Sequence, residues 1–267
     1  MARSASSSAP GVDARAAWAR AWWGTSAAPP GACGASGVCR GERGDARWGR
    51  LIDLSLPLSA GSVHFPGDPP VELDGPYNAL EGPVREYCYR LHLPTQAGTH
   101  IQGPHYFLAA GRPIDTFPLE RFEGPAYVLD VRGLPLFTPQ SLAPLAGVDL
   151  CGAVVLFHSG YMARLLAATT PGELAALVDT KPGLSLDAAI ELAGRGVSML
   201  GIDSVGLEPG GDLSYPVNRC LCEREVLILE GLTNLDRLPP AGAWVEAFPL
   251  PVPCVEGTPC RAVARLP

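Results

Sequence analysis

The chain has 267 residues, a formal net charge of −7, 47% hydrophobic residues and 18% charged ones. That apolar share builds a full core and excludes global disorder, and an acidic surface disfavours binding to nucleic acid, whose phosphates call for basic groups. No apolar run is long enough to span a bilayer and no signal-peptide core follows Met1, so the expected setting is cytoplasmic and away from membranes.

Residues 1–48 are rich in Ala, Ser, Gly and Arg. They read as a flexible N-terminal extension, with an Arg/Ser-rich transit peptide as the sharper alternative. Residues 49–267 read as one domain. Within it, residues 51–58 alternate as a strand should. Residues 66–69, Pro-Gly-Asp-Pro, form a turn. Residues 86–93 alternate again, with Tyr87, Tyr89, Leu91 and Leu93 on one face and Cys88, Arg90 and His92 on the other. Residues 126–131 and 153–157 are apolar runs between Gly and Pro, hence buried strands.

The clearest helix is predicted over 185–194, with Ser185 as N-cap and Asp187 in its first turn. Strands follow at 197–203, 225–230 and 244–250. High Gly and Pro counts, 31 and 28, argue against a helical bundle. The fold class is therefore α/β: a single mixed domain, strand-rich first. The 8 cysteines lack zinc-ribbon spacing and read as reduced thiols. Cys220 and Cys222 read as one inward and one outward residue of an extended segment.

Three of the 5 histidines fall within residues 91–107. Glycine and proline interleaved with His, Gln and Tyr describe a rigid functional loop better than a core strand. The run Gly98-Thr-His-Ile-Gln-Gly-Pro-His-Tyr-Phe107 resembles the signature of the cyclase family, which includes bacterial kynurenine formamidases and isatin hydrolases. That signature runs His-x-Gly-Thr-His-x-Asp-x-Pro-x-His-Phe. Further landmarks that resemble the family are Pro66-Gly-Asp-Pro69, Gly111-Arg-Pro-Ile-Asp115, Pro182-Gly-Leu-Ser185, Gly201-Ile-Asp203 and Glu230-Gly-Leu-Thr-Asn-Leu235.

The resemblance implies a compact β/β/α fold, usually a homo-oligomer (dimer or tetramer). It also implies one or two divalent metals, often Zn or Mn, that activate water to open an amide or lactam. The implied ligands fall here on Gln96, His100, Gln102, Tyr106, Asn218 and Glu230. Of these only His100 and Glu230 keep the family residue, and His105 stands one place before the last signature histidine. One carboxylate against a divalent ion is a poor charge balance, and amides are weak ligands.

The resulting expectation is an enzyme without a metal or other cofactor, a weakly bound Zn or Mn being the alternative. His100 and Glu230 would be its acid/base pair, with Tyr106 and His105 as proton donors. Gln96, Gln102, Asn218, His64 and Ser159 would bind a small carbonyl-bearing substrate, aromatic or polyketide-like, for cyclisation, dehydration or isomerisation. The alternatives are metal-dependent hydrolysis of an amide, lactam or formamide, and a non-catalytic binding protein. Asp203, after a buried strand, is expected to make a structural hydrogen bond, and His92 to be an ordinary surface residue.

Overall fold

The structure, a computed structural model, describes residues 49–59, 68–77, 87–168, 170, 172–173, 176–177, 180–211 and 214–267. The predicted N-terminal extension, His64 and the first half of the turn at 66–69 lie outside these residues.

In chain order the strands before the first helix are β1 (Leu51–Asp53), β2 (Glu72–Tyr77), β3 (Cys88–His92), β4 (His100–Gln102), β5 (Glu123–Asp130), β6 (Leu136–Phe137) and β7 (Val154–His158). Then come α1 (Tyr161–Ala167), β8 (Gly183–Leu184), α2 (Leu186–Gly194), β9 (Met199–Ile202) and α3 (Pro216–Glu223). The chain ends with β10 (Leu227–Glu230), β11 (Ala241–Glu246), β12 (Gly257–Pro259) and β13 (Val263–Arg265).

Nine strands form one mixed sheet in the order β1-β13-β11-β5-β7-β9-β10-β4-β12. Its centre, β5-β7-β9-β10, is parallel, and both flanks are antiparallel. Parallel strands need both faces covered, so they read as continuous apolar runs. Val155 and Phe157 of β7 enter a core with Leu192 of α2 and Leu221 of α3. Val154 and Leu156 point the other way, into a core with Phe122, Ile101 and Val245. The mixed α/β architecture expected from the sequence is therefore observed.

The helix at 185–194 starts as predicted: the Ser185 hydroxyl accepts the Ala188 N–H at 3.2 Å. Two local readings are corrected. Residues 100–102 are a buried strand, not a loop, because Ile101 anchors in the core while Gly98 and Gly103 merely bound it. Cys220 and Cys222 lie on α3, both buried, not on an extended segment.

The alternation is real over the described β3, Cys88–His92, but β3 pairs with β2 in a separate antiparallel ribbon, with Leu73 opposite Leu91 and Asp74 opposite Arg90. Its apolar side, Leu73, Tyr89 and Leu91, stays more than half exposed.

Glycine lets the key strands close up. Gly231 follows β10 at φ +69, where any Cβ would collide with the Gly98 carbonyl oxygen. The Thr99 hydroxyl fastens the same junction by donating to Gly231 O at 2.6 Å and accepting the Leu56 N–H at 2.8 Å. Gly231→Ala adds left-handed strain to a backbone clash. It is expected to cost at least about 3 kcal/mol, read as a lower urea midpoint; wild-type stability would contradict this packing.

Candidate active site

β4 and β10 are antiparallel neighbours, with Glu230 opposite His100 and Ile228 opposite Gln102. Residues directly opposite share a face. His100, Gln102 and Glu230 therefore stand on one side of the sheet, with Ile228. Ile228 packs in the same core as Val217 and Leu221 of α3, so this is the side that α3 covers. α3 brings Asn218 to that side. All four polar residues are at most 7% exposed.

Glu230 is held at both oxygens. Gln102 Nε2 donates to Oε1 at 3.2 Å, and His100 Nε2 lies 3.4 Å from Oε2. His100 Nδ1 is 3.0 Å from Gly98 O. A carbonyl only accepts, so Nδ1 carries a proton, and in the neutral ring Nε2 presents a bare lone pair. That lone pair faces a carboxylate oxygen, an arrangement that calls for a proton or a cation between them. Burial would lower the His100 pKa, but Glu230 outweighs it, with help from Gly98 and Asp68, and the net shift is upward.

Among the described residues the buried side-chain atoms without a hydrogen-bond partner are His100 Nε2, Gln102 Oε1, Asn218 Oδ1, His105 Nδ1 and Ser204 Oγ. Stranded acceptors of this kind are costly unless a hydrogen-bond donor or a cation meets them. On this side of the sheet His100 Nε2, Gln102 Oε1, Asn218 Oδ1 and the Glu230 carboxylate offer one imidazole nitrogen, one carboxylate and two amide oxygens. Such a set suits a divalent ion of hard or borderline character. Among the described residues no three His, Cys, Asp or Glu side chains gather to hold a metal, so the amides are essential to any such site.

The field is also more negative than the sequence implied. Asp68 raises the His100 pKa, and burial followed by Glu230, Asp68 and Glu256 pushes the Tyr106 phenol well above its ordinary value. Tyr106 therefore keeps its proton and serves as a donor. Glu256 accepts from the Thr95 hydroxyl and, at 3.2 Å, from Gln96 Nε2. Gln96 is thereby held at the rim. The rings of Tyr106 and Phe107 meet edge to face at 4.6 Å, and Phe107 and Tyr215 lie 5.3 Å apart. They form an aromatic wall beside the site.

Three groups were missed in the sequence. Glu208, 3% exposed, accepts the backbone N–H of Val217 at 3.3 Å and of Asn218 at 3.0 Å. It thus caps the positive end of α3 and fixes the backbone of Asn218. Lys181 Nζ donates to the carbonyls of Gly206, at 3.2 Å, and Glu208. Glu256 is the third. Each is remote in sequence from the signature, and none carries a motif of its own.

Two further expected site residues make local contacts of their own. The Ser159 hydroxyl donates to Asp203 Oδ1 at 2.7 Å, and Asp203 also accepts the N–H groups of Ser159 and Gly160. Ser159 is thus committed to a structural knot, and Asp203 has the structural role expected of it. His105 lies beside Tyr106 in a one-turn helix, Pro104–Tyr106, and its buried Nδ1 has no hydrogen-bond partner among the described residues. His92 is exposed, 3.5 Å from Asp74.

Comparison with known proteins bears on both fold and chemistry. A family model described as "Putative cyclase" matches residues 52–209, more than half of the chain. The kynurenine formamidase of Salinibacter ruber is 30% identical over 218 residues, covering 80% of this chain and 97% of its own. Isatin hydrolase A from Ralstonia solanacearum superposes with a TM-score of 0.70 at 25% identity, covering 82% of this chain and 92% of its own. A structure titled as a potential metal-dependent hydrolase with cyclase activity has a TM-score of 0.66 at 23% identity, covering 82% and 99%.

These relatives overturn the expectation of an enzyme without a cofactor. The physical reason lies in the fold: it surrounds the site with the fields of Asp68 and Glu256 as well as Glu230, and it strands acceptor atoms of the very amides that seemed poor ligands. The relatives also favour the hydrolytic alternative over cyclisation, dehydration or isomerisation. The residue signature, the sheet with its two flanking cores and the matched family model agree, and the chain is an enzyme of the cyclase family.

Proposed function

We propose that the protein is a metal-dependent hydrolase of small aryl amides, of the formamide or lactam type. The observation that carries this reading is the buried set of unpartnered lone pairs, His100 Nε2, Gln102 Oε1 and Asn218 Oδ1, beside the Glu230 carboxylate. These residues would hold the ion. When bound, a divalent ion supplies a water that ionises near neutral pH and polarises the substrate carbonyl.

The remaining chemistry belongs to the chain. Gly98 O locks the His100 ring, so its nitrogen need not reorient during turnover. Gln102 fixes Glu230 by the bond to Oε1. Glu230 takes a proton from the attacking water and returns it to the leaving nitrogen as the C–N bond breaks. The Tyr106 phenol, protonated at neutral pH, donates a hydrogen bond to the substrate. Tyr106, Phe107 and Tyr215 offer faces and edges to an aryl ring. Gln96, braced by Glu256, orients polar substituents at the rim.

The test is a substrate panel. Protein loaded with Mn or Zn is assayed on formanilide, isatin and an aliphatic formamide. Hydrolysis of the aryl compounds is expected, lost on chelation by about a hundredfold or more and restored by added metal. Absence of turnover on the whole panel, or turnover indifferent to chelation, would contradict the proposal.

A further inference from the structure

We propose that Lys181 is a further catalytic residue: its ammonium donates an N–H to the substrate carbonyl oxygen as that oxygen takes on negative charge. The inference rests on the hydrolase reading above.

The residue is built to be still. Its carbonyl accepts the Gly210 N–H at 2.9 Å, and Leu184 N–H reaches Leu207 O at 2.8 Å. Between them Gly183 lies against Pro209 so tightly that a Cβ would collide with the Pro209 backbone. The segment from Lys181 to Leu184 is thus zipped along the segment from Leu207 to Gly210. From this fixed backbone the side chain reaches the carbonyls of Gly206 and Glu208. A lysine ammonium has three N–H groups. Two are spent on these carbonyls, and the third has no partner among the described residues.

The ammonium also borders the reaction centre. A Cβ placed on Gly206 would lie 3.1 Å from Lys181 Nζ and 3.6 Å from Glu230 Oε1. Cation and carboxylate therefore flank the same glycine, and of the two acids that act on Lys181, Glu230 acts more strongly than Glu208. Burying an ammonium on carbonyls alone is costly. Such a group is expected where a fixed charge does chemistry. Burial pulls its pKa down to about 8, against the opposing pull of the two carboxylates, so it remains largely protonated at neutral pH.

The step balances. Water oxygen bonds to the carbonyl carbon, the carbonyl electron pair moves onto oxygen, and the water proton goes to Glu230. The Lys181 N–H stabilises that oxygen by hydrogen bonding and loses no proton. On collapse the pair returns, the C–N bond breaks, and the nitrogen leaves with the proton from Glu230. Preorganised donors at a developing oxyanion are worth about a hundredfold to a thousandfold in rate.

Lys181→Gln is the decisive variant, because its amide keeps N–H donors on a slightly shorter side chain while lacking the charge. With equal metal content confirmed by elemental analysis, kcat on formanilide is expected to fall about a hundredfold, with KM changed less than threefold. A kcat within threefold of wild type would overturn the proposal and leave Lys181 as a loop support. Formate, a carboxylate product, is titrated against both metal-loaded proteins as a readout independent of turnover. A tenfold weaker affinity in the variant supports the role, and equal affinity overturns it. If wild type turns over none of formanilide, isatin and the aliphatic formamide, the hydrolase reading fails, and the formate titration still decides Lys181.

Discussion

Glu230→Gln is expected to lower kcat/KM on an aryl formamide by about a hundredfold to ten-thousandfold, the usual range for losing a general acid/base, while the protein stays folded. The amide keeps the shape of the side chain and an acceptor for Gln102 Nε2, but it takes no proton and supplies no charge. A second readout follows from His100, whose pKa is raised above its ordinary value of 6.5 chiefly by Glu230 acting against burial. A histidine stabilised in its charged form contributes stability that is fully present below the unfolded pKa and lost as pH rises through the folded one. In chelator-treated wild type, stability should therefore fall as pH rises through and above about 6.5. In Glu230→Gln that component should vanish. Normal turnover by the variant, or an unchanged stability profile, would remove Glu230 from the centre of the site.

Asp203→Asn is expected to destabilise the fold without touching the chemistry directly. The Asp203 carboxylate accepts three hydrogen bonds, two from the N–H groups of Ser159 and Gly160 and one from the Ser159 hydroxyl, and it is 5% exposed. These bonds tie the end of β9 to the end of β7 and to the start of α1. An asparagine presents one acceptor oxygen and turns an NH2 group toward one of the backbone donors. A buried donor left facing a donor costs about 1–3 kcal/mol, and losing a charged acceptor adds to that. The expected total is about 2–4 kcal/mol, which lowers the melting temperature by roughly 5–12 °C in a domain of this size. Burial raises the Asp203 pKa against the pull of its hydrogen bonds, so the carboxylate relies on these donors to stay charged. A melting temperature within about 1 °C of wild type would show that the knot is dispensable.

Much of this was legible in the chain. The parallel strands announced themselves as apolar runs between Gly and Pro, and Ser185 marked its helix because a hydroxyl at an N-cap has one obvious partner. Other elements were hidden. β2 reads Glu-Leu-Asp-Gly-Pro-Tyr, and its Gly-Pro breaks the alternation on which strand recognition depends. β4 is three residues long and set among glycines and prolines, so local composition spoke for a loop. Only pairing with β10 and β12 makes it a strand.

The site was half legible. The signature located His100 and Gln102, a later family landmark located Glu230, and strand register brings them together. The charge balance was not legible, because Asp68, Glu256, Glu208 and Lys181 come from separate segments that only the fold gathers. Counting Glu230 alone led to a site without a metal. Adding its neighbours, and the amide oxygens left without partners, leads to one that calls for a cation.

The most direct test of this account is calorimetric titration of chelator-treated protein with Mn2+ or Zn2+, comparing wild type with His100→Ala and Glu230→Gln. The account predicts close to one equivalent bound by wild type and loss of that binding in both variants. Absence of stoichiometric binding in wild type, or equal binding in all three proteins, would contradict it.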